Sequence, residues 1–171
     1  GLLKHPIAPP IPGPTPHPTG LGTQTQHHAQ TLECDAVVQD CQEDEKCVPY
    51  SDDGGGAWNS RGCFPLKPVN QRVPVGGPCE AEGGGISGLD NCEKGSMCWD
   101  VDAEDLGTCV ALCGEALEAP QGPADMACVT IHENVFDLCL PTCDPLDLTA
   151  CGDDICISPQ DGVFTCVVDA G

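Results

Sequence analysis

The chain has 171 residues, with 15 Cys, 21 Gly, 17 Pro and 4% aromatic residues. So many cysteines are typical of disulfide scaffolds, which persist in oxidising compartments. With 6 basic and 27 acidic side chains, the formal net charge is −21, which argues against nucleic-acid and anionic-membrane partners. No apolar run approaches the ~18 residues of a membrane span, so no membrane insertion is expected. The sequence begins without Met or a leader, and we expect a processed, secreted chain.

Residues 1–33 are expected to form an extended, Pro-rich N-terminal arm. This region has no Cys and has seven Pro within its first 18 residues. Proline favours polyproline II or irregular extended backbone. We expect the arm to dock on a neighbouring subunit through apolar side chains, although a disordered linker is the alternative. The side chains available for docking are Leu2, Leu3, Ile7 and Ile11. Threonines near proline also suit O-glycosylation, so glycans could be attached at Thr15, Thr19, Thr23, Thr25 and Thr31.

Residues 34–171 form a cysteine-rich body with four repeats of one pattern, at about 34–66, 79–112, 113–142 and 143–168. Each unit ends in two Cys-apolar steps separated by turn-forming residues, which predicts a β-hairpin opened and closed by Cys. Three units have four cysteines, whereas the third has only Cys113, Cys128 and Cys139. The predicted fold class is therefore a small, disulfide-rich, mainly β protein of tandem short hairpins with little helix.

The disulfide pairing is not fixed by sequence. Pairing first with third and second with fourth is the economical choice, and it leaves Cys139 single. Pairing first with fourth and second with third would instead leave Cys128 single. The leftover cysteine could form an intermolecular disulfide, remain a free thiol or simply pack as a buried side chain. Because units of about 30 residues bury little apolar surface, we expect several small cores that depend on disulfides.

The candidate metal site is an acidic turn that could bind calcium. It consists of Asp100, Asp102, Glu104 and Asp105, which offer the hard oxygen ligands that Ca²⁺ requires. The turn lacks the central Gly and terminal Glu of an EF-hand, and a solvated acidic turn is the alternative. Zinc is disfavoured because no C-x2-C pair occurs. We expect no catalytic residue and no cofactor other than calcium, since no nucleophile or phosphate-binding motif is present.

Residues 34–168 resemble a family of secreted, cysteine-rich proteins that is common in myxobacteria and their relatives. The most specific stretch reads GSMCWDVD, and the resemblance is carried by 54–59, 75–79, 88–92, 95–102 and 107–110. Many members bear the label ribulose-phosphate epimerase. Such an epimerase is a cytosolic (β/α)8 barrel of at least ~200 residues with metal-binding His and Asp, whereas this chain has neither the length nor the helices. The resemblance implies a bacterial, secreted, disulfide-bonded protein and supplies no catalytic residue.

These observations favour an extracellular structural protein, a subunit of a fibre or surface assembly. In that hypothesis the arm docks on the next copy and builds a head-to-tail homopolymer. The alternative is a calcium-dependent surface adhesion or ligand-binding module with the acidic turn as its site. An enzyme or a protease inhibitor is the least favoured interpretation.

Overall fold

A computed structural model describes residues 33–114, 125–132, 134–147, 149–160 and 162–167. These residues are mainly β, as predicted, and their only helix is a single short 3-10 turn. The elements are β1 Glu45–Tyr50, β2 Ser60–Pro65, the 3-10 turn Val69–Gln71, β3 Pro78–Glu80, β4 Ser96–Trp99, β5 Leu106–Cys113, β6 Met126–His132, β7 Phe136–Pro141, β8 Ile155–Gln160 and β9 Val163–Val167.

The four predicted hairpins are confirmed. They are β1–β2, β4–β5, β6–β7 and β8–β9, all antiparallel. Every hairpin places two cysteines directly opposite each other, as the Cys-apolar repeat indicated. The facing pairs are Cys47 and Cys63, Cys98 and Cys109, Cys128 and Cys139, and Cys156 and Cys166.

In the three units with four cysteines, the disulfides tie both strands of the hairpin to the segment that precedes it, whereas in the third unit only β6 is tied. Pairing is first with third and second with fourth wherever a unit has four cysteines. Seven of the eight facing cysteines therefore bond to a cysteine earlier in the chain and not to each other, while Cys139 has no disulfide partner. The seven bonds are Cys34–Cys47, Cys41–Cys63, Cys79–Cys98, Cys92–Cys109, Cys113–Cys128, Cys143–Cys156 and Cys151–Cys166.

The second and third units share one sheet. Its strand order is β3-β5-β7-β6, with β4 also paired to β5. Strand β5 makes this possible because its first part pairs with β3 and β4, while Leu112 and Cys113 pair with β7. The last unit joins through an isolated antiparallel bridge between Thr142 of the third unit and Thr165 of the fourth. The units are therefore joined by backbone pairing as well as by sequence.

The expectation of several small, separate cores was wrong. One cluster contains Val48 of the first unit, Met97 and Leu112 of the second, and Leu138 of the third, while Val167 of the fourth packs against it. A smaller cluster, centred on Cys79, Cys92, Cys98 and Cys109, lies within the second unit. Short hairpins leave one apolar face each, and stacking these faces buries more apolar surface than isolated units could.

A glycine allows the first two units to approach closely. Gly88 has a φ of +78°, and a Cβ there would lie 2.7 Å from Phe64 Cε2. A side chain at this position would both strain the backbone and clash with the ring. The loop therefore passes beside β2 and delivers Asp90 to the interior.

Candidate functional site

The acidic turn closes the β4–β5 hairpin. Its Asp102 Oδ1 accepts the N–H groups of Glu104 and Leu106, both at 2.9 Å. Asp100 and Asp105 adopt left-handed φ values of 55° and 64°, which Asp tolerates better than most residues. One carboxylate oxygen of the turn is thus engaged in holding the loop.

The described residues contain three groups of at least three His, Cys, Asp or Glu ligand atoms within 4.8 Å of one another, and all three consist of cysteines. Every cysteine in them belongs to a disulfide. Metals bind the thiolate and not the disulfide sulfur. The four acidic residues proposed for calcium are not among these groups, so no three of their carboxylates bring oxygen atoms within 4.8 Å of one another.

The structure distinguishes the two candidate odd cysteines. Cys128 is bonded to Cys113, whereas Cys139 has no disulfide partner. Cys139 lies on β7 with 2% of its surface exposed, and burial raises the pKa of its thiol. A thiol that is buried and protonated is a poor nucleophile. This environment suits a packed side chain better than an intermolecular bond.

The residues proposed for docking and glycosylation lie outside the described residues. These positions are Leu2, Leu3, Ile7, Ile11, Thr15, Thr19, Thr23, Thr25 and Thr31. Where the described chain begins, the Glu33 N–H donates to the Arg61 carbonyl at 3.1 Å. The arm therefore leaves the body beside β2.

A buried ion pair connects the first two units, and sequence reasoning missed it. Lys46 on β1 is fully buried, and its Nζ lies 2.5 Å from Asp90 Oδ1. The ammonium also donates to the carbonyls of Ser96 at 3.0 Å and Cys92 at 3.3 Å. Burial lowers the pKa of Lys46, and the Asp90 carboxylate opposes that shift.

The other half of this network is the set of donors to Asp90. Oδ1 accepts the Cys92 N–H at 2.7 Å, and Oδ2 accepts the Cys98 N–H at 3.1 Å. Both donors belong to cysteines of the second unit, and each of these cysteines is held in a disulfide. The polar contacts of this ion pair all lie in the protein interior, so the pair holds the first unit against the second.

An aromatic groove is the second feature that sequence reasoning missed. Trp58 and Trp99 stack with ring centroids 5.3 Å apart and planes at 26°. The Phe136 ring meets both edge-on, at 5.5 Å from Trp58 and 6.3 Å from Trp99. The three rings come from the first, second and third units. The chain has only two tryptophans, and their rarity was the one feature of the sequence that could have pointed to this groove.

The groove beside these rings has a volume of about 440 Å³. That size lies within the range of about 300–1,000 Å³ that is typical of ligand pockets. The Trp58 indole N–H donates to the Gly85 carbonyl at 3.3 Å, which fixes the ring at the groove wall. Both indoles are partly buried and also pack against the main core. Further walls are supplied by Ile86, Val101 and Val167, with Asp100 as the charged lining residue.

A scan of family models and searches of curated proteins and of solved structures found no match to this chain. The likeness to myxobacterial secreted proteins therefore stays a prediction. In the described part of the chain, no helix has the length and apolar character required to cross a membrane. The seven disulfides indicate an oxidising, extracellular or secreted environment.

Proposed function

We propose that this protein is an extracellular structural subunit of a fibre or surface assembly, in which the N-terminal arm docks on a neighbouring copy. The observation that carries the proposal is a division of roles along the chain. All the disulfides and 26 of the 27 acidic residues lie in the body, while residues 1–32 have no Cys, no acid and the single basic residue Lys4. The disulfides make the body rigid, and the near absence of charge on the arm favours its contact with another subunit.

Charge explains why an arm would be needed. Residues 34–171 carry 5 basic and 26 acidic side chains, so the body has the full formal charge of −21. Two such bodies repel each other unless salt screens them. Residues 1–32 contain no acidic side chain, so contact between this segment and a neighbouring body adds no charge repulsion. The proposal therefore includes assembly that strengthens as ionic strength rises.

Exposed apolar side chains on the last hairpin support an assembly role. Ile155 and Ile157 on β8 are 40% and 41% exposed, and Phe164 on β9 is 36% exposed. Exposed apolar residues that share a face are typical of interaction surfaces. The two isoleucines share one face of the hairpin because they are two residues apart on one strand, whereas Phe164 lies on the other face, since its neighbour Thr165 is opposite Ile157.

Deleting residues 1–32 tests the proposal. The full chain should sediment as higher-order species as its concentration rises, while the deleted form should sediment as a monomer. Circular dichroism and a count of free thiols provide the control that the deleted body keeps its fold and its seven disulfides. If the deleted form assembles as the full chain does, the arm is not the connector.

A further inference from the structure

The aromatic groove has the chemistry that recognises proline-rich segments. Proline-rich chains in polyproline II conformation dock into aromatic-lined grooves because the preformed backbone loses little entropy on binding. Trp58 and Trp99 present adjacent indole rings at the groove. Ile86 and Val101 continue its apolar wall.

The chain itself contains a segment of the matching kind. Residues 6–18 hold seven prolines in 13 positions, with proline pairs at the three-residue spacing of polyproline II recognition. Ile7 and Ile11 alternate with these prolines and add apolar surface. The segment has no acidic side chain, so it can approach a body of charge −21 without repulsion.

Length permits the arm to reach another copy. At about 3.1 Å per residue, 32 residues in extended polyproline II conformation span roughly 100 Å. The arm leaves the body beside Arg61 on β2, where the Glu33 N–H is bound. Residues 19–32 therefore separate the proline-rich segment from the body and allow it to enter the groove of a neighbour.

We propose that the groove formed by Trp58, Trp99, Ile86 and Val101 binds the proline-rich segment 6–18 of a second copy of this chain. This inference rests on the proposed function and assigns the acceptor site for the arm. Each subunit then offers one segment and one groove. Such a heterologous contact repeats head to tail and builds an open polymer.

The two tryptophans make the inference directly measurable. Both tryptophans of the chain line the groove, so intrinsic tryptophan emission reports its occupancy. We expect the emission of the full chain to shift to shorter wavelength as concentration rises, in step with light scattering. A shift that is present at every concentration would mean that the segment occupies its own groove, which overturns the proposal. Assembly without any shift would overturn it as well.

Matched variants separate this inference from the proposed function. Ile86→Asp adds one acid inside the groove, and Val69→Asp adds the same acid at a site that is 77% exposed and outside it. We expect Ile86→Asp to raise the concentration for half-assembly at least about tenfold and Val69→Asp to change it less than about twofold. Equal effects of the two variants would refute the groove as acceptor while leaving arm-driven assembly intact.

A change in the arm provides the complementary test without altering the body. Replacing Pro9, Pro10 and Pro12 with Gly removes three rings and the stiff backbone in a segment outside the described fold. We expect half-assembly to need at least about tenfold more protein and the concentration-dependent shift of emission to be lost below that point. Unchanged assembly by this variant would refute the segment as the ligand, whereas assembly by the form lacking residues 1–32 would refute the proposed function itself.

Discussion

Removing one charge from the Lys46–Asp90 pair is expected to be among the most damaging single changes in the body. Asp90→Asn leaves the fully buried Lys46 ammonium without its counter-ion, 2.5 Å from a neutral amide. The carboxylate also accepts the Cys92 and Cys98 N–H groups on different oxygens. An amide has only one oxygen, so one of these contacts becomes donor against donor.

The expected cost follows from these contacts. Breaking a buried ion pair by removing one partner costs about 3–5 kcal/mol, because a buried charge is left uncompensated. For a chain of this size, each kcal/mol lowers Tm by about 2–4 °C, so the expected loss is roughly 6–20 °C. Lys46→Met in the same chain removes the orphaned charge. The double variant should therefore recover about 2–3 kcal/mol relative to the sum of the single changes.

Guanidinium unfolding with the disulfides intact measures these differences. The control is Glu82→Gln, which breaks the solvent-exposed ion pair between Lys67 and Glu82. An exposed pair contributes at most about 1 kcal/mol, so this variant should unfold near the wild-type midpoint. If Asp90→Asn and Glu82→Gln cost the same, or if the double variant is purely additive, the buried pair does not fix the first unit on the second.

Four further predictions concern the disulfides, the single free thiol, Asp35 and the acidic turn. Full reduction should abolish the β-rich circular dichroism spectrum and protease resistance, because each disulfide contributes about 2–4 kcal/mol; a resistant reduced protein would contradict this. Thiol titration should find one reactive group per chain, Cys139, and only in denaturant; fast labelling of the native protein would contradict its burial. The N–H groups of Val38 and Val37 lower the pKa of Asp35, so its stabilising effect is present above pH 3.8 and is lost as pH falls through the lower folded pKa. Because Asp35 is solvent-exposed, screening limits this effect, so Asp35→Ala should cost at most about 0.5 kcal/mol at pH 7 in denaturant unfolding, and the difference should shrink in acid; a pH-independent difference would refute this. Ca²⁺ and Mg²⁺ at equal concentration should promote sedimentation equally if they only screen charge; an effect specific to Ca²⁺ that Asp102→Asn removes would instead favour the calcium module.

Local patterns in the sequence predicted the hairpins, whereas they left two disulfide pairings open, of which the structure has the one that joins first with third and second with fourth cysteine. The Cys-apolar steps place cysteines such as Cys98 and Cys109 opposite each other, and this depends only on residues close in sequence. Local rules suffice for these features because each unit closes on itself through short loops.

Contacts between units could not be predicted in the same way. Lys46 and Asp90 are 44 positions apart, and neither lies in a sequence motif that indicates contact with the other. Trp58, Trp99 and Phe136 come from three different units and meet only once the sheets have packed. The merged core depends on Leu112 and Cys113 extending β5 into the next unit, which no turn signal marks. Contacts between residues so far apart in the sequence depend on how the units pack together and not on the local sequence pattern.

Negative-stain electron microscopy of the native protein, before any reduction, is the most direct test of the central claim. The account predicts regular filaments from the full chain and dispersed particles from the form that lacks residues 1–32. Dispersed particles of monomer size in the native material would contradict the account, because the arm would then connect nothing.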